Sequence, residues 1–245
     1  MSTTNKMITN TTTTEIVEIS SVDDLLRIKK FSHLELFDKY FLLTSDIDLS
    51  GVDENIFPIV VNFPATFDGG WHRIKNYKGD NCLFRHIEGT GIVKNLTVCN
   101  FNISHLYASL YEKSGYGIFS FENYGKIINC SVFDSTIESF CSFSKRNDIG
   151  ILVSSNYGTI SNCVVDNVTV KTPFSDTIGG IAGNNYNTIS ECHVHHCVLY
   201  GKKYIGGICG YNMDNSASIV NCILTNVLSK KLNDSVSNPL RSEVG

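Results

Sequence analysis

Residues Ile178 to Cys192, Ile-Gly-Gly-Ile-Ala-Gly-Asn-Asn-Tyr-Asn-Thr-Ile-Ser-Glu-Cys, decide the fold of this chain. A glycine-rich step, an Asn/Tyr turn and an apolar run ending in cysteine follow one another here, and degenerate copies of this order recur along the chain. Four copies begin at Tyr116, Ile149, Ile178 and Ile205 and end at Cys130, Cys163, Cys192 and Cys222. Their cysteines lie 33, 29 and 30 residues apart (163−130, 192−163, 222−192). Such a period predicts a stack of similar units, each burying its apolar face against its neighbours.

The apolar residues within a copy alternate along the chain. Ile160, Cys163, Val165, Val168 and Val170 show this pattern in the second copy. A period of two, broken by Gly, Asn and Asp, is typical of short strands and turns. Val, Ile, Thr, Tyr and Phe dominate these runs, and they suit a pleated, half-buried surface. We therefore predict an all-β protein built as a β-solenoid.

Composition narrows the class of protein. The 245 residues, 42% apolar and 18% charged, are enough for one domain with a sizeable core. A net charge of −4, with no basic cluster, argues against a nucleic-acid partner. No apolar run approaches the roughly 18 residues needed to span a bilayer, so no membrane span is expected.

The two ends differ from the middle of the chain. Residues 1–14 are rich in Ser, Thr and Asn and predict a disordered leader without the features of a cleavable signal peptide. Such a leader is either a plain tail or an export signal similar to those of effectors injected by bacterial type III secretion. Residues 229–245 predict a loose tail. We expect a secreted or surface-associated protein, with delivery into a host cytoplasm as the alternative.

The segment before the copies predicts a cap. Glu15 to Ile19 has the pattern of a strand, and Ser21 to Ile28 that of a short amphipathic helix with Ser21 as N-cap and Asp24 three residues later. A helix at this place would cover the open end of the stack. The predicted organisation is one domain over 15–228, with a cap at 15–50 and coils at 51–228.

The chain resembles a known family at this point. Asp46 to Gly51, the Phe-Asp-Gly turn that leads to His72-Arg-Ile-Lys-Asn76, and the glycine-rich copies together are similar to the GLUG-repeat right-handed β-helix. The resemblance covers roughly Ile16 to Val227. Such domains occur in bacterial surface proteins and in the non-catalytic part of zinc peptidases that cut immunoglobulin A. The resemblance implies a right-handed parallel β-helix used for display, adhesion or spacing. Trp71 stands where the family usually has glycine.

The nine cysteines have a structural interpretation. An odd count without a secretory signal does not favour a disulfide framework. Four of them hold the same place in successive copies, and a free cysteine behaves as a small apolar residue in a core. We predict a column of buried thiols.

Metal ligands crowd together only at Cys192-His-Val-His-His-Cys197. Zinc takes four such groups. Alternation turns Cys192 inward and His193 and His195 outward, with Cys197 beside them, which supplies three ligands and no fourth. We therefore expect surface histidines, no metal and no cofactor.

Catalytic residues are not recognisable. Enzymes on right-handed β-helices often act on acidic polysaccharides with clustered carboxylates, whereas the aspartates here are scattered: Asp46, Asp48, Asp68, Asp134, Asp148, Asp166 and Asp176. No nucleophile elbow, phosphate-binding loop or His-Glu-x-x-His pair is present. The chain is predicted not to be an enzyme, and a polysaccharide-active enzyme stays as a third alternative.

A repeated Asn-Tyr pair supplies candidate binding residues. Tyr124, Tyr157 and Tyr186 hold equivalent positions, so stacked coils would align them along one edge, while the fourth copy reverses the pair as Tyr211-Asn212. Aligned tyrosines could bind a sugar chain or a protein surface, or could be a stabilising stack alone. Residues that break the repeat are further candidates: Trp71, His193, His195 and the insert from Ser104 to Ser114.

These features favour a non-catalytic binding module, of bacterial or phage origin, that serves adhesion or partner recognition. Its expected partner is a protein or glycan surface. The runner-up is an effector delivered into a host cell without a cleaved signal.

Overall fold

A computed structural model describes residues 14–105, 114–139, 147–213 and 216–231. In these ranges it contains 29 strands and three short helices. Most of the predicted leader and tail lie outside them. No helix in these ranges is long and apolar enough to cross a membrane.

The amino-terminal part carries all of the helices in the described ranges. In chain order it contains β1 (Glu15–Ile19), α1 (Val22–Arg27), a 3-10 helix (Ile28–Lys30), α2 (His33–Leu36), β2 (Lys39–Leu43), β3 (Ile47–Asp48), β4 (Val60–Phe63), β5 (Thr66–Asp68), β6 (Arg73–Lys75) and β7 (Lys78–Gly79).

The rest of the described chain consists of strands and turns. The next strands are β8 (Phe84–Ile87), β9 (Ile92–Lys94), β10 (Thr97–Cys99), β11 (Asn102–His105), β12 (Ser114–Tyr116), β13 (Ser120–Asn123), β14 (Lys126–Ile128), β15 (Ser131–Ser139), β16 (Asn147–Gly150), β17 (Val153–Asn156), β18 (Thr159–Ser161) and β19 (Val164–Lys171). The last ones are β20 (Thr177–Gly179), β21 (Ala182–Asn185), β22 (Thr188–Ser190), β23 (His193–His195), β24 (Val198–Gly201), β25 (Tyr204–Gly206), β26 (Cys209–Asn212), β27 (Ser218–Val220), β28 (Ile223–Thr225) and β29 (Leu228–Lys231).

The strands form four parallel sheets, and within each sheet neighbouring strands come from successive coils. Sheet A runs β1-β2-β5-β9-β14-β18-β22-β27, and sheet C runs β4-β8-β13-β17-β21-β26. Sheet D runs β12-β16-β20-β25, and sheet B runs β3-β6-β10-β15-β19-β23-β28 with β7, β11, β24 and β29 beside it. The chain passes through the sheets once per coil and moves on to the next coil, so the predicted all-β, β-helical solenoid is confirmed.

The predicted amino-terminal helix begins at its expected cap. Ser21 accepts a hydrogen bond from the backbone N–H of Asp24 at 3.2 Å, and the helix buries Leu25. A second helix, α2, was not predicted, and it begins with a capping box between Ser32 and Glu35. Strands β1, β2 and β3 lie in the predicted cap segment, yet they are already members of sheets A and B.

Thiols occupy one column of the core, as predicted. Cys130, Cys163 and Cys192 are fully buried, whereas Cys222 in the last described coil is partly exposed. Burial raises the pKa of the Cys163 thiol well above its usual range, aided by its neighbour Cys130. None of the described cysteines is in a disulfide. These thiols therefore act as small apolar residues.

Left-handed backbone positions recur twice in each of six successive coils. The first turn column, between sheets A and B, has φ between 52° and 65° and contains Trp71, Asn95, Asn129, Asn162, Glu191 and Asn221. The second turn column, along sheet B, has φ between 46° and 63° and contains Asn76, Asn100, Asp134, Asn167, His196 and Asn226. Asparagine tolerates this conformation better than most residues, which explains the Asn before three of the repeated cysteines.

Side-chain amides link the first coils along these columns. Asn129 Nδ2 donates to Asn95 Oδ1 at 3.2 Å, and Asn95 Nδ2 donates to Asp68 Oδ1 at 3.0 Å. In the second column Asn100 donates to Asn76 at 3.1 Å, and Asn76 donates to Asp48 at 2.9 Å. Both chains end on a carboxylate, which only accepts when ionised, so each amide donates toward the amino-terminal coils.

An inner amide column runs through the buried ends of sheet C. Asn123 donates to Asn156, Asn156 to Asn185 and Asn185 to Asn212, each at 2.8 Å. The second Nδ2 proton of Asn156 and of Asn185 is directed at main-chain carbonyls, including those of Gly158 and Asn187. These amides therefore donate toward the carboxy-terminal coils, opposite to the turn columns.

The double glycines reflect close approach of backbones. A Cβ on Gly180 would lie 2.0 Å from the carbonyl oxygen of Gly207, and one on Gly179 would lie 1.9 Å from that of Ala182. Neither glycine adopts a left-handed φ. Close approach of the backbone therefore requires glycine at both positions, from the same coil at Gly179 and from the next coil at Gly180.

Candidate functional site

The three repeated tyrosines form the stack that the sequence predicts. Tyr124, Tyr157 and Tyr186 each follow an amide of the inner column, at the turn from sheet C to sheet A. Their rings are nearly parallel, with centroids 4.8 Å apart for Tyr124 and Tyr157 and 4.4 Å apart for Tyr157 and Tyr186. These spacings are close to the ~4.8 Å between neighbouring strands, so the coils themselves set the stack.

The tyrosine stack presents ring edges and hydroxyls to the outside. Tyr124 is 45% exposed, and its hydroxyl donates to Glu122 Oε2 at 3.0 Å. Burial raises the pKa of Tyr157 above its usual value, and the adjacent Tyr186 adds to the effect. The Tyr157 phenol is therefore neutral at physiological pH and can donate a hydrogen bond.

The stack ends where the fourth copy reverses the Asn-Tyr pair. Asn212 stays in register with Asn185 and continues the inner amide column. In this coil Met213 occupies the position that a tyrosine holds in the three preceding coils, and its N–H donates to the Asn185 carbonyl at 2.8 Å. Tyr211 comes into register with Asn184, so its ring lies in the neighbouring column on the outer surface of sheet C.

Tyr211 and Tyr204 line a cleft between sheets C and D. Their rings meet at 63° with centroids 5.6 Å apart, and the residues are 40% and 52% exposed. Tyr186, the last ring of the stack, and Met213 complete the aromatic and apolar wall. The cleft has a volume of about 350 Å³. The sequence did not reveal it, because Tyr204 and Tyr211 have no counterpart in the other copies.

Charged and polar side chains line the same cleft. Asp148, Thr177 and Tyr204 are in register on adjacent strands of sheet D, and Thr177 Oγ1 donates to Asp148 Oδ1 at 2.5 Å. Asp176 pairs with Lys203 at 3.1 Å. Asn184 adds an amide.

Two of the aspartates judged to be scattered therefore line one cleft. Asp176 precedes Thr177, which pairs with Asp148 of the previous coil, so stacking brings both carboxylates to the cleft although they hold different repeat positions. The spacing of these aspartates in the sequence does not predict this arrangement.

Trp71 lies apart from the tyrosines. It is 71% exposed and has φ 65° in the first turn column. That column follows the strands of sheet A, whereas the tyrosine stack precedes them. Trp71 therefore lies at the carboxy-terminal ends of the sheet A strands, and the tyrosine stack lies at their amino-terminal ends.

His193 and His195 also lie apart from the cleft, on the outer face of sheet B. Val194 between them is buried, and the two rings are 5.8 Å apart and nearly perpendicular. The expectation that Cys197 lies beside them is wrong, because Cys197 is fully buried. His196, the member of the second turn column in this coil, adopts a left-handed φ of 46°, and this turn directs Cys197 into the core.

The remaining candidates add no site. Among the described residues no group of three or more His, Cys, Asp or Glu side chains is placed to hold a metal ion. His196, which the sequence did not single out, bonds Asp166 at 2.8 Å. A second cavity, of about 390 Å³, lies between the first helices and edge strand β4 and is mostly apolar. Most of the Ser104 to Ser114 insert lies outside the described residues.

Comparison with known proteins supports the fold. No family model and no curated protein sequence matches this chain. A search of solved structures finds the crystal structure of a Bacteroides ovatus protein provisionally assigned as an immunoglobulin A1 protease. The match covers 90% of this chain and 80% of that one, with a TM-score of 0.51 and 20% sequence identity. At this identity the likeness concerns the fold.

Proposed function

We propose that this protein is a non-catalytic β-helix binding module that recognises a protein or glycan surface through its tyrosines. The proposed module is a GLUG-type right-handed β-helix whose short amino-terminal helices close the first coil. The fold shared with the Bacteroides ovatus protein supports this assignment. We further propose adhesion or partner recognition as its task.

One observation carries the proposal. Tyr186 belongs to both the stack and the cleft, so five tyrosines form one aromatic face: Tyr124, Tyr157, Tyr186, Tyr204 and Tyr211. Tyrosine suits recognition because it offers a large rigid area with a hydroxyl at low cost in side-chain entropy. A purely stabilising stack would explain the first three rings, whereas the exposed Tyr204 and Tyr211 lie outside it.

The proposal does not include catalysis. The two carboxylates in the cleft are engaged by Thr177 and Lys203, which suits fixed hydrogen-bonding groups. An enzyme acting on polysaccharides stays as the third alternative, after a delivered effector.

Tyrosine substitutions test the proposed face. Fluorescently labelled full chain would be applied to a printed glycan array and to cultured epithelial cells. The variants are Tyr124→Ala and Tyr204→Ala, with Tyr200→Ala on sheet B as a matched control. We expect the first two to weaken binding about 3–10-fold, the range for one aromatic contact, and the control to bind as the wild type does.

Three results would contradict the proposal. One is the absence of wild-type binding to both array and cells. The second is unchanged binding by both variants together with a strong fall in their melting temperature, followed by circular dichroism. That combination is the result expected of a purely stabilising stack. The third is turnover in a reducing-sugar assay on a polysaccharide panel, which would make the protein an enzyme.

We propose a secreted or surface-associated location, with delivery into a host cytoplasm as the alternative. The polar composition of residues 1–14 supports export without a cleaved signal. Deleting residues 2–14 tests the delivery alternative in a bacterium with a type III system: abolished export with an unchanged circular dichroism spectrum supports it, and unchanged export removes it.

A further inference from the structure

We infer that the cleft between sheets C and D binds one uncharged sugar unit of a glycan. This inference rests on the proposed binding function and narrows it to one ligand class and one place.

The aromatic wall fits the apolar face of a sugar ring. A pyranose has a face made of C–H groups, and such a face packs on aromatic rings as other apolar groups do. Tyr204 and Tyr211 meet at 63°, so one ring can act as floor and the other as wall. The volume of about 350 Å³ is at the small end of ligand pockets, which run from roughly 300 to 1,000 Å³. It suits one sugar ring with its substituents.

The polar groups fit sugar hydroxyls. Asp148 and Asp176 accept hydrogen bonds, Lys203 donates, and Asn184 does both. An ionised carboxylate has about four acceptor positions, so Asp148 keeps acceptor capacity beyond its bond from Thr177. A hydroxyl both donates and accepts, and a mixed set of partners matches it better than a purely acidic or purely basic set.

Charge selects an uncharged sugar. The lining contains two carboxylates and one ammonium group, a net charge of −1 (1−2), which disfavours uronic and sialic acids. A cationic ligand would need a cage of open ring faces beside an unpaired carboxylate. Here Lys203 pairs with Asp176 inside the cleft and Thr177 donates to Asp148, so neither carboxylate is left without a partner for a cation.

Saturation-transfer NMR on the full chain tests the inference. The probes are the methyl glycosides of glucose, galactose and mannose together with N-acetylglucosamine, glucuronic acid and tetramethylammonium. We expect signals from at least one of the uncharged sugars and none from the other two probes. Tyr204→Ala should weaken binding about 3–10-fold and Asp148→Asn about 10-fold or more, whereas Tyr124→Ala should change it less than about 2-fold.

A circular dichroism spectrum of each variant distinguishes loss of binding from loss of folding. Asp148→Asn nearly preserves the shape of its side chain, so it still tests the cleft if Tyr204→Ala fails to fold. The inference is overturned if no uncharged sugar gives a signal, if glucuronic acid or tetramethylammonium binds more strongly than the sugars, or if sugar binding depends on Tyr124 and not on the cleft. Binding to cells that requires Tyr124 without any sugar signal would leave the proposed function intact.

Discussion

Left-handed turn positions explain why asparagine is so frequent in the repeat. A non-glycine residue at such a φ costs of order 1–2 kcal/mol, and asparagine lowers this cost by bonding locally. Here it also bonds from coil to coil, as Asn95 does with Asp68. Trp71 breaks the pattern, because a bulky ring gains nothing from this conformation.

The backbone at Trp71 provides a first prediction. Trp71→Gly should raise the free energy of unfolding by about 1 kcal/mol, since glycine adopts this φ at no steric cost and the exposed ring loses little packing. Urea unfolding measures the change. Trp71→Ala is the matched control, because it removes the ring and keeps the Cβ, and it should shift stability by less than about 0.5 kcal/mol. Destabilisation by both changes would show that the ring packs on the surface.

Asp48 gives a prediction of pH dependence. The Ser50 hydroxyl, followed by the Asn76 amide, lowers the pKa of this carboxyl from 3.8 to about 2. A depressed pKa in the folded protein stabilises at pH above the unfolded value, and this contribution is lost as the pH falls from about 4 to about 2. Asp48→Asn should therefore show a smaller fall in melting temperature between pH 5 and pH 2.5 than the wild type. An equal fall in both proteins would assign the acid sensitivity to other carboxyls.

At the scale of elements, successive coils repeat columns of side chains, and a column of like residues brings groups that bond or pack with one another within reach. The inner amide column is the costliest to interrupt, because its members are buried and bonded on several sides. Loss of one member leaves buried donors and acceptors without partners.

The inner amide column supports a prediction with an internal control. Asn156→Ala should lower the free energy of unfolding by about 2 kcal/mol or more, since it removes bonds to Asn123, Asn185 and Gly158. Asn212→Ala, at the exposed end of the column, should cost less than about 1 kcal/mol. Chemical denaturation compares the two. Equal losses would mean that burial does not set the value of these bonds.

Residues that keep their place in every copy were predictable. The spacing of Cys130, Cys163 and Cys192 predicted a buried column, and Tyr124 and its two counterparts predicted a stack. Residues without a counterpart in the other copies were not predictable, as Tyr204 and Tyr211 show. Cys197 follows the repeat, because it takes the core place of Val168 one coil earlier. Strict alternation failed for Cys197 because it ignored the left-handed turn at His196. The cleft depends on the angle between sheets C and D, and the residue spacing within one copy does not predict that angle.

The whole described molecule is a row of coils, each held mainly by the coil before and the coil after it. Stability in such a row is a sum of local terms, so it varies along the axis. The last described coil has no described neighbour on one side. Its inward-facing Ile219 and Leu224 are exposed, whereas Ile189 and Val194 in the preceding coil are fully buried.

Hydrogen exchange should follow this gradient. Amides of β17 to β19 should exchange at least about 10-fold more slowly than those of β26 to β28, because opening the last coil exposes less apolar surface. Exchange measured by mass spectrometry on the intact chain resolves the two regions. The paired strands β1 and β2, where we propose that the helices close the first coil, serve as the reference for the other end. Uniform protection would indicate one cooperative unit.

The opposed directions of the amide columns have an electrostatic consequence. Each side-chain amide is a dipole, with its positive end at the NH₂ group and its negative end at the oxygen. The turn columns point their positive ends toward the amino-terminal coils, and the inner column points its own toward the carboxy-terminal coils. The two sets of dipoles direct their positive ends toward opposite ends of the described stack, so their contributions to a dipole along its axis partly cancel.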